Sequence, residues 1–290
     1  MATNIETVES IWAQLPDLEA MSQATVDASL KGWEKLVIAC LEAGMLAPIV
    51  PTSKPMEARL VTAAPFLKCT LDDLRATWIL IHRGYTAQAA SVAASLFENA
   101  LVAAVIAGST DLANQAKKSK DGEIPWGAKE LCQLDTKREM AISKVNGKPY
   151  THKMYEDGWT ISYFHYKWLC QVKHPTWQAA THALKSTLVN EKEFAVRPGP
   201  NNLDDDQQVK ARVIAVALIK SLQAIKSFFL TLDGHESSAE YSTFEDKLNQ
   251  VHFGIAELIK LQYGKSSPIQ VLNRGFIKTD FATLKERFGE

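Results

Sequence analysis

Residues 70–108 read TLDDLRATWILIHRGYTAQAASVAASLFENALVAAVIAG, and this stretch decides the fold. It opens on Thr70, with Asp72 and Asp73 close behind, the pattern of a capped helix whose first turn carries the negative charge that its dipole favours. The spacing predicts a helix from Thr70 to about His82. Arg83-Gly84-Tyr85-Thr86 then reads as a turn, and an alanine-rich helix follows to Gly108. So short a connection folds the second helix back antiparallel on the first, and the small side chains permit close packing.

The same helical spacing recurs on both sides of this hairpin, whereas alternating β-branched runs bounded by turns are almost absent. Upstream, Val26, Leu30, Trp33, Val37 and Leu41 make one apolar stripe, which predicts a single helix from an N-cap at Ser22 to a stop at Gly44. Pro48, Pro51 and Pro55 follow as a rigid connector. Downstream, a short polar helix is expected over Asp111 to Lys118, another beginning near Pro125, and a break at Asn146-Gly147-Lys148-Pro149. A helix from Trp159 is expected to end at Pro175, which cannot continue it. After the loop Arg197 to Asn202, Asp204-Asp205-Asp206 reads as a solvated helix start.

The last two stripes are Ile214, Leu218, Leu222, Ile225, Phe229 and Leu232, then Tyr241, Phe244, Leu248, Val251, Ile255 and Leu258. Joined through Asp233-Gly234-His235, they predict an antiparallel pair, and stripes of this length also suit a subunit contact. A short helix is expected near Thr283. The fold class is therefore all-α, a multi-helix bundle of antiparallel hairpins. It divides into an N-terminal helical segment (1–55), a helical core (56–195) and a C-terminal hairpin packed on that core (203–290).

With 290 residues, 46% of them hydrophobic, the chain has ample material for a buried core. Its 32 basic and 33 acidic residues nearly cancel, so no global field draws in a polyanion and any nucleic-acid contact needs a local patch. Cys40, Cys69, Cys132 and Cys170 form no Cys-x-x-Cys pair, which argues against a zinc site or a disulfide framework and points to a reducing cytoplasm. The N-terminus lacks the pattern of a secretory signal. Ala87 to Gly108 is long enough to span a membrane, but Gln88, Ser91, Ser95, Glu98 and Asn99 predict a buried helix instead, and no membrane partner is expected.

No glycine-rich phosphate loop, His-Glu-x-x-His pair or Gly-x-Ser-x-Gly elbow occurs, so most nucleotide hydrolases and zinc proteases are disfavoured. The seven histidines form no metal-binding pair, and neither a metal nor a cofactor is expected. What remains is Tyr163, Lys167, Cys170 and His174, which share one helical face. Pro175 puts His174 at the helix end, where the dipole favours the protonated ring and Lys167 opposes it. Such a pair suits phosphodiester cleavage without metal: His174 moves protons on the attacking or leaving oxygen, and Lys167 stabilises charge at phosphorus. The plainer alternative is that both residues cap and solvate a helix end. Glu98 interrupts an apolar stripe, so it is expected to be buried and to need a partner such as Arg83, Lys167 or His174. It would either orient the histidine or tether two helices. Lys173, Tyr163, Tyr166 and Arg83 are the candidate substrate contacts. Arg75 and His82 repeat the basic-residue-then-histidine spacing on the earlier helix.

Two segments, Gly84 to Ala107 with Ser95-Leu96-Phe97-Glu98 at its middle and Tyr163 to Pro175 with Tyr166-Lys167, Cys170 and His174-Pro175, resemble the bacterial family designated domain of unknown function 5677. That family looks like a relative of the HEPN superfamily of helical proteins. Many of these are metal-independent ribonucleases of toxin, abortive-infection and phage-defence systems. The resemblance covers about the middle half of the chain. It implies a HEPN-like core, a site in a cleft between two subunits of a homodimer, RNA as substrate, and a protein partner from a defence or toxin–antitoxin operon. By position it makes His174 the catalytic histidine and puts Lys167 where the family has an arginine. Lysine lacks the planar fork that grips phosphate, and Ala94 replaces a further arginine, so a degenerate, inactive relative is also implied. The opposing class is a non-catalytic helical sensor or partner-binding subunit.

Overall fold

A computed structural model describes residues 12–48, 56–119, 122–145, 150–173, 198–229 and 239–263, together with positions 10, 147, 177, 180 and 184. Every regular element among the described residues is an α-helix. They are α1 (Leu15–Ser29), α2 (Trp33–Leu46), α3 (Ala58–His82), α4 (Thr86–Gly108), α5 (Thr110–Lys118), α6 (Ala128–Val145), α7 (His152–Lys173), α8 (Asp204–Phe229) and α9 (Ala239–Tyr263).

The hairpin of α3 and α4 is the centre of the bundle, and its turn is the one expected from sequence. Gly84 adopts φ +90°, and a Cβ there would stand 2.4 Å from Pro200 Cβ and 2.5 Å from Ser22 Oγ. Only glycine fits that turn. The backbone of residues 198–203 is strapped over it, with Asn201 N donating to Gly84 O at 2.8 Å. α4 is mostly buried, with α8 on it from one side and α6 and α7 from another. Its run Ala100 to Ala107 is buried throughout, which explains an apolar helix long enough to span a bilayer.

Several boundaries differ from the sequence expectations. The stripe from Val26 to Leu41 serves two helices, because the chain breaks at Gly32 with φ +93° and Leu30 and Trp33 stay buried on either side. Thr70 is not a cap. It lies inside α3, buried, with its hydroxyl donating to Phe66 O at 2.8 Å. α3 starts twelve residues earlier than Thr70 and carries Pro65 in its interior. The buried side chains of Leu60, Ala63 and Leu67 offset the loss of helix stability that an interior proline causes. α7 starts at His152, where the Thr151 hydroxyl caps Met154 N at 3.2 Å, and Gly158 does not interrupt it. A Cβ on Gly158 would stand 3.0 Å from Thr136, so the glycine lets α7 approach α6.

The acidic start of α8 is only partly solvated. Asp204 and Asp205 are exposed, but Asp206 is buried, accepting from the Thr86 hydroxyl at 2.5 Å and pairing with buried Lys210 at 3.2 Å. Lys210 also donates to Asn201 O at 2.7 Å, so one buried charge pair fastens α8, the 198–203 segment and the start of α4. α9 touches α8 but lies mainly along α2, antiparallel to it. Gly32 faces Leu258, Gly254 faces Leu36, and Lys247 pairs with Glu42 at 2.7 Å. The expected connector at 233–235 and the short helix near Thr283 lie outside the described residues.

Candidate functional site

The α4–α7 contact brings together three of the residues singled out in the sequence, Tyr163, Tyr166 and Glu98. Tyr163 and Tyr166, three residues apart on α7, stack with ring centres 6.2 Å apart, and Tyr166 leans on Phe97 of α4 at 5.6 Å. The Tyr166 hydroxyl donates to Glu98 Oε1 at 2.5 Å. Burial pushes the Tyr166 hydroxyl well above its ordinary range, and the Glu98 bond adds to the shift. Lys167, the next residue, is half-buried. Glu98 is exposed, contrary to the expectation from its apolar neighbours, because it lies on the face of α4 that carries exposed Gln88 and Ser95, while the stripe itself stays buried. Its described partner is Tyr166, so the carboxylate ties α4 to α7.

The other sequence candidates are distributed differently. Lys173 is the exposed last residue of α7. His174 lies outside the described residues. Arg83 sits on the α3–α4 turn, paired with Glu19 at 2.6 Å. Glu98 is about 18 Å further along α4 at 1.5 Å per residue, so Arg83 and Glu98 are not partners. His82 stacks on Trp78 and pairs with Asp27 at 2.9 Å, while Arg75 is exposed one heptad earlier.

Behind the surface contact lies a buried polar network that the sequence reading did not single out. Lys220 of α8 is 3% exposed, donates to Ser162 Oγ at 2.7 Å and Gln223 Oε1 at 2.8 Å, and stands 4.8 Å from the centre of the Phe97 ring. All three ammonium hydrogens thus have a direction to point. Gln223 Nε2 donates to Asp135 at 3.0 Å and Glu139 at 2.7 Å, and Arg138 pairs with Asp135 at 2.9 Å. Burial, with Asp135 alongside, pushes the Glu139 carboxyl up. His165, 5% exposed, is held down to about 3 by burial and secondarily by Lys220. Its Nε2 and the Nε1 of buried Trp168 have no hydrogen-bond partner among the described residues.

A sequence signal for this network did exist. Asp135, Arg138 and Glu139 stand at the three- and four-residue separations of one helix face, and Lys220 and Gln223 stand three apart in the mostly apolar run from Val213 to Ile225. Such spacing reads as a solvated face until the neighbouring helices are known. Among the described residues no group of three or more His, Cys, Asp or Glu side chains could hold a metal ion. No protein-family model, curated protein or solved structure matches the chain.

Proposed function

We propose that the chain is a HEPN-like effector of bacterial defence, a metal-independent ribonuclease or the degenerate descendant of one, with its site at the C-terminal end of α7. The observation that carries this reading is the Tyr166–Glu98 hydrogen bond. It joins the two segments on which the family resemblance rests, beside half-buried Lys167 and on the helix that ends at exposed Lys173. In this reading His174 transfers protons, Lys167 offers a point charge to the scissile phosphate, and the tyrosines flank the strand. The protein acts in the cytoplasm as a homodimer, with a protein partner from its operon.

The test is to express the wild type and His174→Ala in bacteria and compare growth and RNA integrity. The wild type is expected to slow growth and fragment RNA, and His174→Ala to do neither. Equal behaviour of the two folded proteins removes the nuclease reading. Lys167→Arg is expected to raise activity, since arginine binds phosphate bidentately.

A second reading, a non-catalytic partner-binding subunit, is favoured by the apolar side chains that α2 and α9 leave uncovered. Ile38 and Phe253, near the middle of this antiparallel pair, are 46% and 67% exposed. Light scattering on Phe253→Lys tests whether that surface joins subunits. A dimer that becomes monomeric supports the interface, and an unchanged mass removes it.

A further inference from the structure

Three lysines of the bundle pair with carboxylates: Lys68 with Asp72, Lys210 with Asp206 and Lys247 with Glu42. Lys226 on α8 meets another base instead, its Nζ lying 3.3 Å from Nδ1 of His252 on α9. An ammonium only donates, so Nδ1 accepts and the ring carries its proton on Nε2. A charged ring would set two cations in contact, so the pair holds a single positive charge.

The surroundings weaken the ammonium form of Lys226. Its side chain is half-buried, and burial pulls its pKa below the ordinary range, an effect that Glu139 of α6 opposes. The Glu139 carboxyl accepts from Gln223 at 2.7 Å, and no carboxylate among the described residues forms an ion pair with Lys226. His252 is exposed, and its ring is pulled down by partial burial and then by Lys226. Along α9 the nearest charged side chains are Lys247 and Glu257, each five residues away, and Lys247 is held by Glu42 of α2. A partly desolvated amine, hydrogen-bonded to a base and without a counter-ion, is the setting in which lysine turns nucleophilic.

We infer that Lys226 is a modification site, a nucleophilic amine that small acyl phosphates acylate while His252 takes up its proton. The ammonium passes one proton to Nδ1 of His252 and becomes an amine. Its nitrogen attacks the acyl carbon, the N–C bond forms, and the C–O bond to phosphate breaks with its electron pair leaving on the phosphate. The second proton departs with the phosphate, His252 returns the first to water, and Lys226 keeps a neutral amide. Lys226 stands in the last turn of α8, where the dipole favours a cation, so acylation removes a favourable charge where α8 meets α9. The site lies on α8 and α9 and does not rest on the function proposed for α7.

The experiment treats the full-length folded chain with acetyl phosphate at neutral pH and follows acetylation of each lysine by mass spectrometry at early times. Lys226 is expected to react about fivefold faster than exposed Lys31 and Lys35, because the gain in neutral amine outweighs its partial shielding. In His252→Gln, whose polar side chain has a similar reach but takes up no proton, Lys226 is expected to fall to the rate of Lys31 and Lys35. In urea the three lysines of the wild type are expected to react alike. A Lys226 rate no higher than those of Lys31 and Lys35 in the folded protein, or an advantage that survives His252→Gln or urea, overturns the site.

Discussion

Lys220 Nζ lies 4.8 Å from the centre of the Phe97 ring, and Phe97 immediately precedes Glu98. The buried network of α6, α7 and α8 therefore supports the same turn of α4 that meets Tyr166 at the surface. Lys220→Ala would leave Ser162 and Gln223 without their buried donor, and leaving buried polar groups unsatisfied costs about 1–3 kcal/mol. Urea denaturation is expected to show a loss of that order, with Lys220→Met milder because it keeps the packing volume.

Tyr166→Phe removes one hydrogen bond at an exposed carboxylate. The expected loss is about 1 kcal/mol, since the bond has a charged acceptor but water is near. A double-mutant cycle with Glu98→Gln measures the coupling directly. A coupling of zero would mean that the hydroxyl and the carboxylate do not hold α4 to α7.

The α3–α4 turn contrasts with another turn of positive φ. Gly84→Ala meets both backbone strain and the Pro200 and Ser22 atoms, whereas Gly122, at φ +72°, has open space around a Cβ. The strain alone is about 1–2 kcal/mol, so Gly122→Ala is expected to cost about that much and Gly84→Ala clearly more. Thermal melts of the two variants check the difference.

His165 supplies a pH dependence with a definite sign. Its folded-state value is about 3 against 6.5 for the free side chain, so between those limits the unfolded chain binds the extra proton. Stability contributed by the neutral ring is present above pH 6.5 and falls as the pH drops toward 3, by at most about 1.4 kcal/mol per pH unit. Glu139, raised by burial, works in the opposite direction, losing stability as pH rises. His165→Phe is therefore expected to flatten the acid limb of the stability curve relative to the wild type. An unchanged slope would show that the ring is hydrated in solution.

The class of fold was legible because periodicity records which face each helix buries, and the turn at Gly84 was legible because glycine and the flanking stripes mark it. The break at Gly32 was not, since the apolar stripe runs on across it and only the positive φ ends α1. Nor was the start of α3, where tertiary burial of Leu60 and Leu67 overrides Pro65 and makes Thr70 an interior residue. For the site, spacing put Tyr163, Lys167, Cys170 and His174 on one helical face, but it could not show that Tyr166 would take Glu98. Arg83 was assigned to the same site through its sequence neighbourhood alone, and α1, sixty residues earlier, claims it instead. The buried network of Lys220 and Asp135 left only helical spacings that read as a solvated face, because it joins helices far apart in the chain.

The most direct measurement is cleavage of a defined single-stranded RNA by the purified full-length protein in the presence of a chelator. The proposed function predicts fragments from the wild type, more from Lys167→Arg, and none from folded His174→Ala. Intact RNA with the first two proteins, or equal cleavage by all three, contradicts it.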